Sequence, residues 1–538
     1  MKQSIYLTFA VMLLSACASF GDRQQEYRQA LMQHDWPQAE QHLASANPGD
    51  ANYLLYLLEM GSLLHYQQQW QESNQWLQQA ETELLAWMSL GPEEQAKAWL
   101  INPEQAKFQA GLPELVQLYQ LRIINSMMLA NRGDQAALTS MRVDARRLEL
   151  AIRQQQPGPL TELTDDTPSA TLWSLLNPLG GVPQNAELWR YQDDAFSQWL
   201  IGLVYERLEE WDNARIFYAQ AQLVCVQRER VQFQRAPEVC QQYELDRLRM
   251  AKRTGAPIAE AELSALTPEQ QALLSSHDSR LVMLKRQGLL QPKRELNFRL
   301  FADPGNQSLV LEFIPTGDEQ MQQEQWLWFL SMYGDLNPLN LFWRASTADP
   351  VALLDILTTK RFPLGPLWSQ AEQLGVINAL GPLGVRVTVP YVPLFQAQTP
   401  TQVQINGQSF SPLRVQDMQA IWQQQALLNA QTHLVTALTR EISRNLVLQQ
   451  GIRMANQGQN QEVFSLLGSM LTASLASSDT RMWLSLPSQH ALLIQDLPPG
   501  SYLVDWGAQR QHIELAAQQI GLLLFTELRQ TSLGDMYE

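Results

Sequence analysis

Histidines, cysteines and carboxylates carry most enzymatic and metal chemistry, so their spacing is the first question for this 538-residue chain. His34, His42, His65, His277, His433, His490 and His512 are scattered, and no His-Glu-x-x-His zinc helix occurs. Paired Cys-x-x-Cys, the Gly-x-x-x-x-Gly-Lys phosphate loop, Gly-x-Gly-x-x-Gly and the Gly-x-Ser-x-Gly elbow are absent too. None of the seven lysines follows a serine by three positions, which removes the Ser-x-x-Lys nucleophile. His34 and His42 lie eight apart beside a repeat turn, and as ligands they would need a carboxylate partner that the sequence does not place. Glu72 beside Ser73 sets an acid next to a hydroxyl, but Ser73 falls on a small-residue packing position described below. Asp479, Arg481 and Trp483 are the best candidates for a site, and a structural ion pair beside a buried aromatic is the reading they favour. The expectation is no catalytic residue, no metal and no cofactor.

The cysteines divide between an anchor and a bridge. Lys2 precedes an apolar stretch from Ile5 to Leu14 and then small residues, the layout of a secretory signal peptide. That stretch is shorter than the roughly 20 residues that span a bilayer as a helix. Leu14-Ser15-Ala16-Cys17 resembles the lipobox of bacterial lipoproteins. The resemblance implies cleavage before Cys17, acylation of its thiol and new amino terminus, and two or more chains that anchor firmly. Ala18 in place of aspartate implies the outer membrane, with the protein facing the periplasm. In that oxidising compartment Cys225 and Cys240 are expected to form a disulfide.

Composition narrows the partners. Lys and Arg number 38 against 54 Asp and Glu, a net charge of −16 that argues against nucleic acid. Only 17% of residues are charged, while glutamine supplies about one residue in eight, so much of the surface is polar but uncharged. Sixteen Trp, 16 Phe and 14 Tyr are ample for large cores.

The elements that would position any site begin with a repeat. Trp36, Ala39, Leu43 and Ala46 are followed 34 residues later by Trp70, Ser73, Leu77 and Ala80, and the offsets return at Trp211, Ala214, Tyr218 and Ala221. Gly61 and Gly202 each sit nine residues before a repeat tryptophan. The pattern resembles the tetratricopeptide repeat, a helix–turn–helix unit whose small residues let helices approach closely. A weaker unit runs from Leu115 to about Leu150, with its turn at Asn131-Arg132-Gly133-Asp134. Such an array buries its own stripe and leaves a concave groove for a peptide or helix. Residues 157–190 carry loop chemistry, and the basic run from Arg228 to Arg253 reads as a solvated helix face.

The period changes in the second half. Leu296, Phe298 and Leu300, a turn at Asp303–Asn306, then Leu309, Leu311 and Phe313 predict a hairpin. Further strands are expected at 385–389, 403–405, 491–494, 501–506, 512–515 and 520–527, with a long helix over 415–450. The fold class is α+β and multidomain. Residues 1–16 form the signal peptide, 17–255 a repeat domain, 256–295 a helical linker and 296–538 a mixed α+β domain with the long helix.

Ser478-Asp479-Thr480-Arg481-Met482-Trp483 and Leu497-Pro498-Pro499-Gly500, behind repeats and a lipobox, resemble an uncharacterised family of bacterial outer-membrane lipoproteins. That resemblance implies a location and an architecture, but no activity. Two functions are consistent with these residues. One is a non-enzymatic scaffold that binds another envelope protein through its helical groove, in cell-envelope assembly or regulation. The other is an envelope enzyme acting on peptidoglycan or polysaccharide through a carboxylate pair in the second half, about 5–10 Å apart across a cleft.

Overall fold

The computed structural model describes residues 20–43, 45–90, 106–153, 168–180, 191, 193–274, 279–333, 359–393, 398–455 and 477–529. Four helical hairpins open the chain: α1 (Phe20–Gln33) with α2 (Trp36–His42), α3 (Tyr53–Tyr66) with α4 (Trp70–Met88), α5 (Leu112–Asn131) with α6 (Gln135–Arg153), and α8 (Ala195–Arg207) with α9 (Trp211–Val224). All four turn the same way. His34, Gln68, Gly133 and Glu209 adopt positive φ two residues before the second helix. The next amide bonds back five residues: Asp35 to Ala30, Gln69 to Leu64, Asp134 to Leu129 and Glu210 to Tyr205. This is the left-handed helix stop that satisfies otherwise orphaned carbonyls.

Small residues lie where helices of a hairpin approach closely. Ala39, Ser73, Ala80, Ala214 and Ala221 are fully buried at the crossings. A Cβ added at Gly61 would stand 2.5 Å from Leu77, and one at Gly202 would stand 2.7 Å from Tyr218. Ser73 Oγ donates to Gly61 O at 2.6 Å across the same crossing. Each repeat tryptophan meets a later element: Trp36 stacks on Tyr66, Arg132 covers Trp70, and Arg253 covers Trp211.

Two parts of the helical half differ from expectation. Helix α7 (Pro168–Gly180) forms inside the segment read as loop, because Leu172, Trp173, Leu175 and Leu176 bury one face and Pro168 suits a first turn. The basic run, which continues into α10 (Pro237–Thr254), is not simply a solvated face. Arg235 pairs with buried Glu229 at 3.1 Å, and Arg249 and Arg247 pair with Glu206 and Glu262.

The linker reading is corrected most. Short helices at Glu260–Ser264 and Pro268–Leu273 are followed by strand β1 (Ser279–Gln287), buried along its whole length. β1 lies between β12 (Ile520–Glu527), which runs parallel to it, and β9 (Gln489–Leu497), antiparallel, with β8 (Leu413–Asp417) beyond β9. A strand covered on both faces does not alternate, so its sequence carried no period-two signal.

A second sheet runs β11 (Gln509–Leu515), β10 (Gly500–Trp506), β6 (Val403–Ile405), β7 (Gln408–Phe410). It packs Val504, Trp506 and Ile405 against Leu281, Met283 and Phe525 of the first sheet. The third sheet orders β4 (Thr359–Pro363), β3 (Ser308–Ile314), β2 (Arg294–Asp303), β5 (Val385–Tyr391), and β2–β3 is the expected hairpin. The long helix, α11 (Met418–Ala455), packs on β5 and α7. The chain is thus mixed α+β. Among the described residues no helix is long and apolar enough to cross a membrane.

Candidate functional site

The inner helices of the hairpin array hold residues of the same chain. Val282 and Leu284 of β1 share one apolar core with α3, α5 and α8, so the first sheet lies in the groove. Asn131 at the end of α5 donates to Leu522 O of β12, and Phe196 of α8 stacks on His490 of β9. The segment before β9, residues 478–488, lies against α3.

That segment contains the trio Asp479, Arg481 and Trp483, as an ion pair beside a buried aromatic. Arg481 Nη2 meets Asp479 Oδ2 at 2.8 Å, and its Nη1 donates to Asn52 Oδ1 at 2.8 Å. Trp483 is fully buried, with Nε1 donating to Ser62 Oγ of α3 at 2.9 Å. The hub is a residue the sequence reading passed over. Glu59 of α3 accepts from Leu484 N at 2.6 Å, Ser485 N at 3.2 Å, Ser485 Oγ and Tyr27 Oη. Tyr66 Oη donates to Ser485 O at 2.5 Å, and Arg28 donates to Leu290 O at 2.9 Å. Burial pushes the Glu59 carboxyl up to about 7, and its donors restrain the rise. The signal for Glu59 was present: it is the sole acid in a mostly apolar helix, where an acid needs buried donors.

The same sheet face carries two buried arginines. Arg280 of β1 pairs with Asp246 of α10 and with Asp496 at 3.4 Å. Arg286 is equally buried, but its Nε and Nη1 have no hydrogen-bond partner among the described residues. The guanidinium lies over the Tyr66 ring, 5.0 Å from its centroid. Its direct cross-strand neighbour is His490. His490 Nδ1 bonds Gln416 Oε1 at 2.6 Å, and His65 Nδ1 bonds Asn125 Oδ1 at 2.5 Å. Burial first, and the Arg286 charge second, hold both imidazoles well below their ordinary pKa.

The other predicted residues are placed more simply. Cys225 and Cys240 form a disulfide with Cα atoms 5.5 Å apart, tying the end of α9 to α10. Cys17 lies outside the described residues, as does the apolar stretch 464–476. Among the carboxylates, Asp193 is pushed up to about 8 by burial and by Asp194. Asp194 is spent as the cap of α8 and on Tyr191 and Gln416, inside the helical half. A shallow pocket in the second sheet holds Asp505, whose oxygens are taken by Arg510. In comparisons with family models, curated proteins and solved structures, nothing matches this chain.

Proposed function

We propose that the protein is a lipid-anchored scaffold of the outer membrane that docks another envelope protein on the outward helices of its array. The anchor is Cys17, on the strength of the lipobox resemblance, and the array is of the tetratricopeptide kind. One observation carries the docking face. Leu85, Leu150 and Val226 each stand fifteen positions after the first residue of a second helix, Trp70, Gln135 and Trp211. All three are solvent-exposed aliphatics, at 40%, 62% and 47%. Equivalent positions on stacked hairpins form a row, and a row of exposed aliphatics is the signature of a contact surface. Val143, Ile216 and Leu223 widen it on the same helices. Residues 478–488 lie on α3, and β9 and β12 meet α8 and α5, so the partner surface moves from the inner helices expected from sequence to the outer ones.

Photo-crosslinkers placed in cells at Leu85, Leu150 and Val226 test this reading. The same crosslinked protein is expected at all three, and none at Leu57 or Ser62 on an inner helix. Leu85→Asp with Leu150→Asp should abolish the product without lowering the melting temperature. Crosslinks from Leu57 or Ser62 alone would return the partner to the groove. Cys17→Ser should leave an unprocessed or soluble species.

A further inference from the structure

We propose that the partner docked on the exposed row is an integral protein of the outer membrane, met beside the array close to the bilayer surface, an inference that rests on the lipid-anchored scaffold reading. The tether comes first. Only Ala18 and Ser19 separate Cys17 from Phe20, the first residue of α1. Three residues of extended chain reach at most about 11 Å. An acylated Cys17 therefore holds the start of α1 beside the lipid headgroups.

The hairpins carry that constraint across the array. In each one the first helix starts, and the second helix ends, at the end opposite the turn. Hydrogen bonds keep these ends level. Ala51 O, before α3, accepts from Phe108 N, before α5, at 2.7 Å. Glu81, in the second half of α4, accepts from Tyr119 Oη in the first half of α5 at 2.8 Å and from Arg147 Nη1 in the second half of α6 at 2.9 Å. Glu229 Oε1, in the π-helical turn Cys225–Glu229 that follows α9, accepts from Ala195 N, the first residue of α8, at 2.8 Å. The exposed aliphatics crowd this anchored end. Leu85, Leu150 and Leu223 lie in the last turns of α4, α6 and α9, and Leu90, Val226 and Val231 follow those helices. Among the described residues no exposed large aliphatic stands at a hairpin turn, the end away from the anchor.

Two features favour a protein over the bilayer itself as the occupant. Side chains on a helix tilt toward its N-terminus, so those of Leu85, Leu150 and Leu223 lean away from the lipid. A net charge of −16 also opposes adsorption to anionic headgroups. A neighbour that rises from the same membrane meets the row from the side. Confining both proteins to one membrane raises their effective concentration, which suits a patch of only a few aliphatics.

The test places a helical Glu-Ala-Ala-Ala-Lys spacer of about 30 residues, roughly 45 Å, between Ser19 and Phe20. Photo-crosslinking in cells from Leu85 and Leu150 is then compared with and without it, in proteins of equal melting temperature. Without the spacer, both positions should capture the same protein, one that carries membrane-spanning segments and resists alkaline extraction. With the spacer, the yield of that product should fall about fivefold or more, because the row is lifted out of reach of the membrane. Capture of a soluble periplasmic protein, labelling of phospholipid in place of protein, or a yield indifferent to the spacer would each overturn the membrane-level partner, and the first and third would leave the scaffold reading standing. No product from the unaltered protein would instead sink the scaffold reading, and this inference with it.

Discussion

Arg280 and Arg286 leave the same face of one strand, and only one is answered by charge. Arg280 enters a closed network in which Asp246 also accepts from Trp199 Nε1 at 2.9 Å, and the neighbouring Arg249 pairs with Glu206. Its carboxylates raise its pKa further above an already high value. Arg286 sits among neutral partners, and burial lowers its pKa. A buried cation that the fold has paired holds the helices to the sheet. A buried cation with no carboxylate partner among the described residues is a cost that the rest of the fold must cover.

The largest test of that contrast is Asp246→Ala. It strands Arg280 without its closest partner, and about 3–5 kcal/mol of stability should be lost in urea denaturation. A cost below about 1 kcal/mol would erase the distinction between the two arginines. Reducing the Cys225–Cys240 bridge, which fastens the helix that carries Asp246, should cost roughly 3 kcal/mol for a loop of 15 residues. Free-thiol labelling of both cysteines in the native protein would contradict the bridge itself.

Glu59→Gln, at the Arg286 end, should cost about 1–3 kcal/mol, since an amide oxygen cannot serve all the donors that converge there. The pH dependence has a definite sign. A carboxyl raised from 4.5 to about 7 in the folded protein binds more protons folded than unfolded across that window. Its contribution is complete below about 4.5 and fades as pH rises through 7, and Glu59→Gln should flatten that slope. Asp144, raised to about 6, and Asp193, raised to about 8, keep the same sign in the variant as a background. The smallest effect is the sharpest comparison. Arg286→Met should change stability by less than about 1 kcal/mol or raise it, because replacing an unpaired buried charge by an apolar chain costs little. A loss as large as that of Asp246→Ala would show that Arg286 is also an anchor.

What the sequence made legible was local. Trp36, Trp70 and Trp211 mark helix starts, Gly61 and Gly202 mark crossings, and the Leu296–Phe313 alternation marks a hairpin, each readable within a window of a few residues. β1 was not readable. Its two neighbours in the sheet lie some 200 residues away along the chain, and Arg280, Lys285 and Arg286 interrupt its apolar run. The trio at 479–483 was visible as an ion pair with an aromatic, but its acceptors on α3 were not, because nothing in residues 478–488 names Glu59. Only the lone acid inside α3 pointed the other way. His490 reaches the neighbourhood of Arg286 through strand pairing alone, which no local pattern in the sequence announces.

The closure of the groove by residues 478–488 and 520–527 has a consequence for the order of events during biosynthesis. The hairpins leave the ribosome first, yet Leu484 and Ser485, which donate to Glu59, are made more than 400 residues after it, and β9 and β12 follow the hairpins they cover by hundreds of residues. Until then the array is a half-finished surface with an acid and a sheet-sized apolar face in water. A chain interrupted between about residues 255 and 478 would carry complete hairpins and still present that face, so such termination should yield a protease-sensitive product and not a smaller working scaffold.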